Sequence, residues 1–242
     1  MKTYGLIGKT LSHSFSSEFF KNYFQKEAIK ASYQNFELET IEETLTVFAQ
    51  NPSGLNVTIP YKELIIPYLD TLDPIAEAIG AVNTIVFKDG QKIGCNSDAF
   101  GFQQSIKPFL CNHHERALIF GTGGASKAIA FVLKNIGIDV LYVSRNPRDE
   151  SKHFSYEEVN DNMIHACKLI INCTPVGSYP NTDEILPIPF TAIGADHLVI
   201  DLIYNPEKTK FLQEAERQGA TIMNGKSMLQ EQALKSWEYW NQ

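Results

Sequence analysis

The sequence predicts a two-domain α/β chain, and three observations carry that prediction. Strand-like and helix-like stretches alternate almost throughout, the rhythm of sheets covered by helices. A glycine-rich turn, Gly121-Thr122-Gly123-Gly124-Ala125-Ser126, stands in mid-chain between a strand pattern and a helical one. The stretch Ser227 to Trp240 is helical and rich in large apolar residues, suited to pack back on the N-terminal block. The expected domains are residues 1–98 with 219–242, an N-terminal α/β domain completed by the C-terminal helix, and residues 99–218, a doubly wound parallel sheet.

Each element has its own signal. Tyr4–Gly8 reads as a first strand and Phe15–Ala28 as a helix with aromatics at Phe19, Phe20, Tyr23 and Phe24. Ala31–Leu38 is strand-like, Ile41–Gln50 helical, and Gly54–Thr58 a short strand stopped by Pro60. Pro74–Gly80 reads as a short helix, with proline suited to its first turn. Val82–Phe87 and Gln91–Gly94 flank Asp89-Gly90, a hairpin signal. Ser97–Leu110 reads as a connecting helix. In the second block the strands are Arg116–Phe120, Asp139–Val143, Leu169–Cys173 and Leu198–Leu202, with helices at Lys127–Asn135 and Glu207–Gln218.

Composition narrows the function classes. An apolar fraction of 43% with 20% charged residues is that of an ordinary globular protein. The net charge of −7 argues against nucleic acid, which selects a basic surface. Cys95, Cys111, Cys167 and Cys173 show no C-x-x-C spacing, so they read as reduced thiols and no metal is expected. His113-His114 reads as part of a solvated loop. The N-terminus runs into a strand pattern without a signal peptide, and no apolar run is long enough to span a bilayer, so a cytoplasmic location is expected.

Glycines after a buried strand allow a tight turn and close approach of backbone to a pyrophosphate. The helix N-terminus behind them offers free N–H groups. Gly121, Thr122, Gly123, Gly124, Ala125 and Ser126 therefore read as a dinucleotide cradle in a Rossmann-like domain, although Ser126 departs from strict G-x-G-x-x-G. The second strand of that block ends Ser144-Arg145-Asn146, where NAD-preferring sites carry an acidic residue. A guanidinium suits a 2′-phosphate, so the expected cofactor is NADP. Taken alone, Arg145 is equally a solvated strand-end charge; behind the glycine-rich turn the cofactor reading is the better one.

The first block carries polar groups at strand ends: Ser12-His13-Ser14-Phe15-Ser16-Ser17, Asn56-Val57-Thr58-Ile59-Pro60-Tyr61-Lys62, Ala81-Val82-Asn83-Thr84 and Asn96-Ser97-Asp98. Singly, each has an ordinary explanation, such as Ser14 or Asp98 capping a helix. Together they offer hydroxyls, amides, an ammonium and a carboxylate, a lining for a small polyhydroxylated ligand.

In these blocks, and in Gly121 to Ser126, Asn172 to Gly177, Asp201 to Pro206 and Met228-Leu229 with Gln232, the chain resembles the shikimate dehydrogenase family over nearly its whole length. The resemblance implies an NADP-dependent oxidoreductase that reversibly reduces 3-dehydroshikimate to shikimate in aromatic amino acid biosynthesis. It implies Lys62 as catalytic acid/base with Asp98 beside it. Ser14 and Ser16 are then expected on the substrate carboxylate, and Thr58, Asn83, Asp98 and Gln232 on its ring hydroxyls, with Tyr204 helping to enclose the ring. Residues 121–126 with Ser144, Arg145, Leu202 and Gly225 are expected to border the dinucleotide (NADPH). Departures from the family pattern include Ser17 for a usual Pro, Ser97 for Thr, and Ser144 and Asn146 beside Arg145. The expected partner is the small-molecule substrate alone, with neither nucleic acid nor membrane, in a monomer or homodimer. Two alternatives stay open: a quinate/shikimate dehydrogenase using NAD or NADP, and a non-catalytic ligand-sensing homologue. Retention of both Lys62 and Asp98 argues against the second, because a pure binder needs no proton donor.

Overall fold

The computed structural model describes residues 1–11 and 14–242, so Ser12 and His13 of the first polar cluster lie outside the described residues. The chain divides into two compact units, Met1–Phe102 with Leu229–Gln242, and Gln103–Met228.

The first unit runs β1 (Lys2–Gly8), α1 (Phe15–Lys26), β2 (Ala31–Glu37), α2 (Thr44–Phe48), β3 (Gly54–Val57), α3 (Tyr61–Leu64), β4 (Thr71–Leu72), α4 (Pro74–Ile79), β5 (Thr84–Lys88), β6 (Gln91–Cys95) and the start of α5 (Ser97–Ile106). Its sheet has the order β2-β1-β3-β5-β6-β4. β1 pairs in parallel with β2 and β3, whereas β3, β5 and β6 pair antiparallel. The Asp89-Gly90 hairpin forms as its sequence dictates, both residues taking positive φ at 52° and 77°.

The second unit holds β7 (Arg116–Phe120), α6 (Gly124–Asn135), β8 (Asp139–Val143), β9 (His153–Phe154), α7 (Asp161–Ala166), β10 (Leu169–Asn172), β11 (Leu198–Asp201), α8 (Lys210–Arg217) and β12 (Thr221–Asn224). All five pairings in the order β12-β11-β10-β7-β8-β9 are parallel. This is the doubly wound Rossmann-like order, with its reversal point between β7 and β10. α9 (Lys226–Trp240) closes the chain, most of it in the first unit.

Several boundaries differ from the sequence expectation. Residues 219–228 were expected in the first domain, but β12 hydrogen-bonds to β11 and belongs to the second sheet. The expected helix over 41–50 is a 3-10 turn followed by the five-residue α2, and 97–110 divides at Ile106 into α5 and a 3-10 turn. α8 begins at Lys210, not Glu207, because the Thr209 hydroxyl accepts the Leu212 N–H as its cap. α3, β4, β9, β12 and α7 have no counterpart in the sequence reading: the strands are of two to four residues and the helices of four and six, too short for a periodic signal.

In the first unit, alternation along β1 sends Ile7 to one apolar cluster with Leu55, Val57 and Ile85, and Tyr4 to another with Phe20, Phe24, Ala233 and Trp240. The second cluster is where α9 packs back. The Trp240 indole N–H donates to the Ile85 carbonyl at 3.0 Å, and its ring lies 4.8 Å, centroid to centroid, from Tyr4. Gly54 is required there: a Cβ would sit 2.4 Å from the indole. In the second unit, Leu118, Phe120, Ile170 and Val199 of the sheet pack with Phe211 and Leu212 of α8. Among the described residues, no helix is long and apolar enough to cross a membrane.

Trp240→Ala removes a buried indole and its hydrogen bond, and is expected to lower the stability of the first unit by about 3–5 kcal/mol. Both tryptophans lie in that unit, so urea unfolding followed by the fluorescence of Trp237 measures the loss.

Candidate active site

A turn and a helix end bring two opposite charges together in the first unit. Lys62 lies on α3, which starts directly after Pro60 ends the β3 segment, and Asp98 lies in the first turn of α5. The Lys62 Nζ donates to Asp98 Oδ2 at 2.6 Å, with the two side chains only 13% and 7% exposed. Asp98 is free for this because the helix cap is made elsewhere: Asn96 Oδ1 accepts the Ala99 N–H at 3.1 Å, and Asn96 Nδ2 donates to the Ala81 carbonyl. The ordinary explanation for Asp98, an N-cap, is thus taken by its neighbour.

A buried polar network runs beside this pair. Asn83 Oδ1 accepts the Ser97 N–H at 2.7 Å, while Asn83 Nδ2 donates to Ser97 Oγ at 2.9 Å and more distantly to Gln232 Oε1 at 3.4 Å. Ser236, one helical turn beyond Gln232 on α9, joins Asn56 Nδ2 at 2.9 Å, Thr84 Oγ1 at 2.8 Å and Ser97 Oγ at 3.0 Å. Asn56 Oδ1 accepts from the Tyr33 hydroxyl at 2.8 Å, and Tyr33 is in turn bonded by the Ser16 side chain. Burial pushes the Tyr33 phenol far above its usual range, so it stays a neutral donor. The structure therefore connects Ser16, Asn83 and Gln232 through residues that sequence reading did not single out: Tyr33, Thr84 and Ser236. Ser236 had one available signal, its position four residues after Gln232 on the same helical face. Ser14 caps α1, accepting the Ser17 N–H at 3.4 Å, a bond that a proline at position 17 would lack. Thr58 is half-buried and stands at the end of β3, its carbonyl accepting the Tyr61 N–H.

The second unit gathers the residues expected to border a dinucleotide. Gly121 has φ +101° at the carboxyl end of β7, and a Cβ there would come within 3.2–3.3 Å of Thr174 and Cys173, at the end of β10. The turn thus sits at the reversal point of the sheet, where such folds take their ligands. Gly123 precedes α6, and a Cβ added there would meet nothing within 4 Å, which leaves the helix N-terminus open. Ser126 is buried and donates to the Gly123 carbonyl at 2.7 Å, bracing the turn. Arg145 is exposed past the end of β8, whereas Ser144 Oγ is buried without a hydrogen-bond partner among the described residues. Leu202 and Gly225 touch: a Cβ on Gly225 would lie 2.0 Å from the Leu202 carbonyl oxygen, so only glycine fits. Tyr204 also lies in this unit, just after β11.

Asp201 ties these loops. Its carboxylate accepts from Asn172 Nδ2 at 3.1 Å, the Ile203 N–H at 3.0 Å and Thr209 Oγ1 at 2.6 Å. Asn172 Oδ1 in turn accepts from the N–H and hydroxyl of Thr174. Burial pushes the Asp201 carboxyl up to about 6, against the three hydrogen bonds that favour its charged form.

Comparison with known proteins fits this arrangement. The family profile described as the shikimate dehydrogenase substrate binding domain matches residues 6–85. A shikimate dehydrogenase (NADP(+)) of Methanosphaera stadtmanae is 39% identical over 252 residues, an alignment that covers 97% of this chain and 89% of the relative. A solved shikimate dehydrogenase in complex with NADP+ superposes with a TM-score of 0.87 at 32% identity, covering 99% of this chain and 90% of that one. The Thermus thermophilus shikimate 5-dehydrogenase, solved with NADP(H) and shikimate, gives a TM-score of 0.87 at 29% identity, covering 99% and 93%.

Because the folded Asp201 titrates above the ordinary 3.8, its charged form is disfavoured by folding. The stability it contributes is present below about pH 4 and is lost as pH rises through about 6. Asp201→Asn, which keeps the acceptor for Asn172 and Ile203, should gain on the wild type by about 1–2 kcal/mol between pH 5 and pH 8. Hydrogen exchange of the β10 and β11 amides, which report the second unit alone, reads this difference.

Proposed function

The chain belongs to the shikimate dehydrogenase family, and from that premise we propose that its first unit holds a shikimate-like hydroxy acid around Lys62 and its second unit holds NADP. It is an NADP-dependent oxidoreductase of the shikimate pathway, and the reaction is the reversible reduction of 3-dehydroshikimate to shikimate. The observation that carries the assignment of roles is the Lys62 Nζ–Asp98 Oδ2 contact of 2.6 Å between largely buried side chains.

NADPH, held by the second unit, would supply the hydride for the ring ketone. The chain itself must deliver a proton to the oxygen that becomes the alcohol. Lys62 Nζ is the donor, because it is the ammonium that Asp98 holds in place within the polar cluster. In oxidation the same amine takes the proton back from the alcohol. Asn83 is braced by Ser97, and the Gln232 side-chain amide donates to the Leu229 carbonyl at 3.1 Å, so both amides are already held before a ring hydroxyl arrives. Ser14 and Ser16 at the start of α1 offer hydroxyls to a carboxylate, with the helix N-terminus behind them. In the second unit, the open turn at Gly123 would hold the pyrophosphate, and the exposed Arg145 guanidinium would pair with a 2′-phosphate.

Lys62→Ala is expected to lower kcat by ~10²–10⁴-fold with a much smaller change in KM. Steady-state rates of NADP reduction with shikimate test it; an intact kcat with a raised KM would make Lys62 a binding residue and sink the mechanism. Arg145→Ala should weaken NADPH by about tenfold or more while leaving NADH nearly unchanged, measured by fluorescence titration of each reduced cofactor.

A further inference from the structure

The segment between α5 and β7 holds a group of ligating side chains that the reaction does not use. Cys111, His113 and His114 each place one ligating atom within 4.8 Å of the other two. Cys111 and His113 are exposed and His114 is buried; the imidazole rings are 4.4 Å apart, centroid to centroid, and inclined at 59°. We propose that Cys111, His113 and His114 form a surface site for a thiophilic divalent cation of the Zn²⁺ class.

The donor set, one thiolate and two imidazoles, is that of a borderline-soft ion and not of Mg²⁺ or Ca²⁺. His113 is oriented as a metal-bound imidazole usually is. Its Nε2 lies 3.1 Å from the Asp196 carbonyl, which can only accept, so the proton sits on Nε2 and the Nδ1 lone pair is free. The Asp196 carboxylate is committed to Lys168 at 2.6 Å, so it braces this side of the loop without supplying a ligand. The His114 Nδ1 accepts the Cys111 N–H at 3.0 Å, so it carries a lone pair and no proton. A bound cation takes that lone pair, and the Cys111 amide, on an exposed residue, turns to water.

Tetrahedral zinc holds its ligand atoms roughly 3.3–3.6 Å apart. The three groups therefore close by about 1 Å, a rotation that two exposed side chains can make. Three protein ligands leave the fourth position to water. The segment leads into the start of β7, and Asp196 stands just before β11, whereas Gly121 and Thr174 lie at the opposite, carboxyl ends of the strands. The cation thus stabilises the loop at the other edge of the sheet by binding the folded form, and takes no part in hydride or proton transfer. The sequence expectation of a solvated loop at His113-His114 left out Cys111, which the turn brings within reach of both rings.

The test uses the full untagged chain, metal-stripped and held reduced by a phosphine. Titration with Co²⁺ should give one equivalent bound with a thiolate-to-metal charge-transfer band. Cys111→Ser should abolish the band. Zn²⁺ affinity, read by competition with a chromogenic chelator, should fall by about tenfold or more in Cys111→Ser and in His113→Ala. His165→Ala, an exposed histidine outside the group, should leave it unchanged. Absence of the charge-transfer band, equal Zn²⁺ affinity in Cys111→Ser and wild type, or binding weaker than about 1 mM would each overturn the proposal.

Discussion

Two opposite charges share a largely dry corner of the first unit, and each is tolerable there because the other is present. Removing an ammonium or a carboxylate from water is costly, and a partner at 2.6 Å offsets that cost only while both stay in place. The surrounding fold serves that constraint. Asn96 caps α5 so that Asp98 need not, and the Lys62 carbonyl accepts the Val82 N–H at 2.7 Å, which anchors the short α3 to the strand region carrying Asn83. A charged group held this way keeps a fixed direction, which an exposed lysine does not.

The neutral polar groups beside the pair follow a related rule. A buried amide or hydroxyl is costly unless bonded, and here Asn56, Asn83, Thr84, Ser97 and Ser236 satisfy one another. The closure of this set depends on α9, which supplies Ser236 and Gln232 from the far end of the chain while Trp240 seats against Gly54. Apolar packing of the last helix and polar order around Asn83 are therefore one event. The second unit applies a steric version of the same logic: a Cβ on Gly225 would collide with the Leu202 carbonyl, and Gly121 takes a φ of +101° that favours glycine, so the backbone itself forms the surface there.

Much of this was legible in the residues. Strand-helix alternation, the Asp89-Gly90 turn and the Gly121 to Ser126 segment each act over a few residues, and the structure reproduces them. The elements that were not legible, α3, β4, β9, β12 and α7, are short and owe their form to pairing or packing with distant segments. The domain boundary was misplaced for that reason: Thr221–Asn224 is a strand of the second sheet because β11 is beside it.

The sequence by itself determined the kinds of group available and the local turns that present them: an ammonium after a proline-stopped strand, a carboxylate in the first turn of a helix, glycines between a buried strand and a helix. Tertiary structure alone decided which of these meet. Lys62 and Asp98 are 36 residues apart, and Asn56 and Ser236 are 180 apart. Local propensity acts over a few residues and says nothing at such separations; only the closed sheet and the returning helix bring those groups within bonding distance.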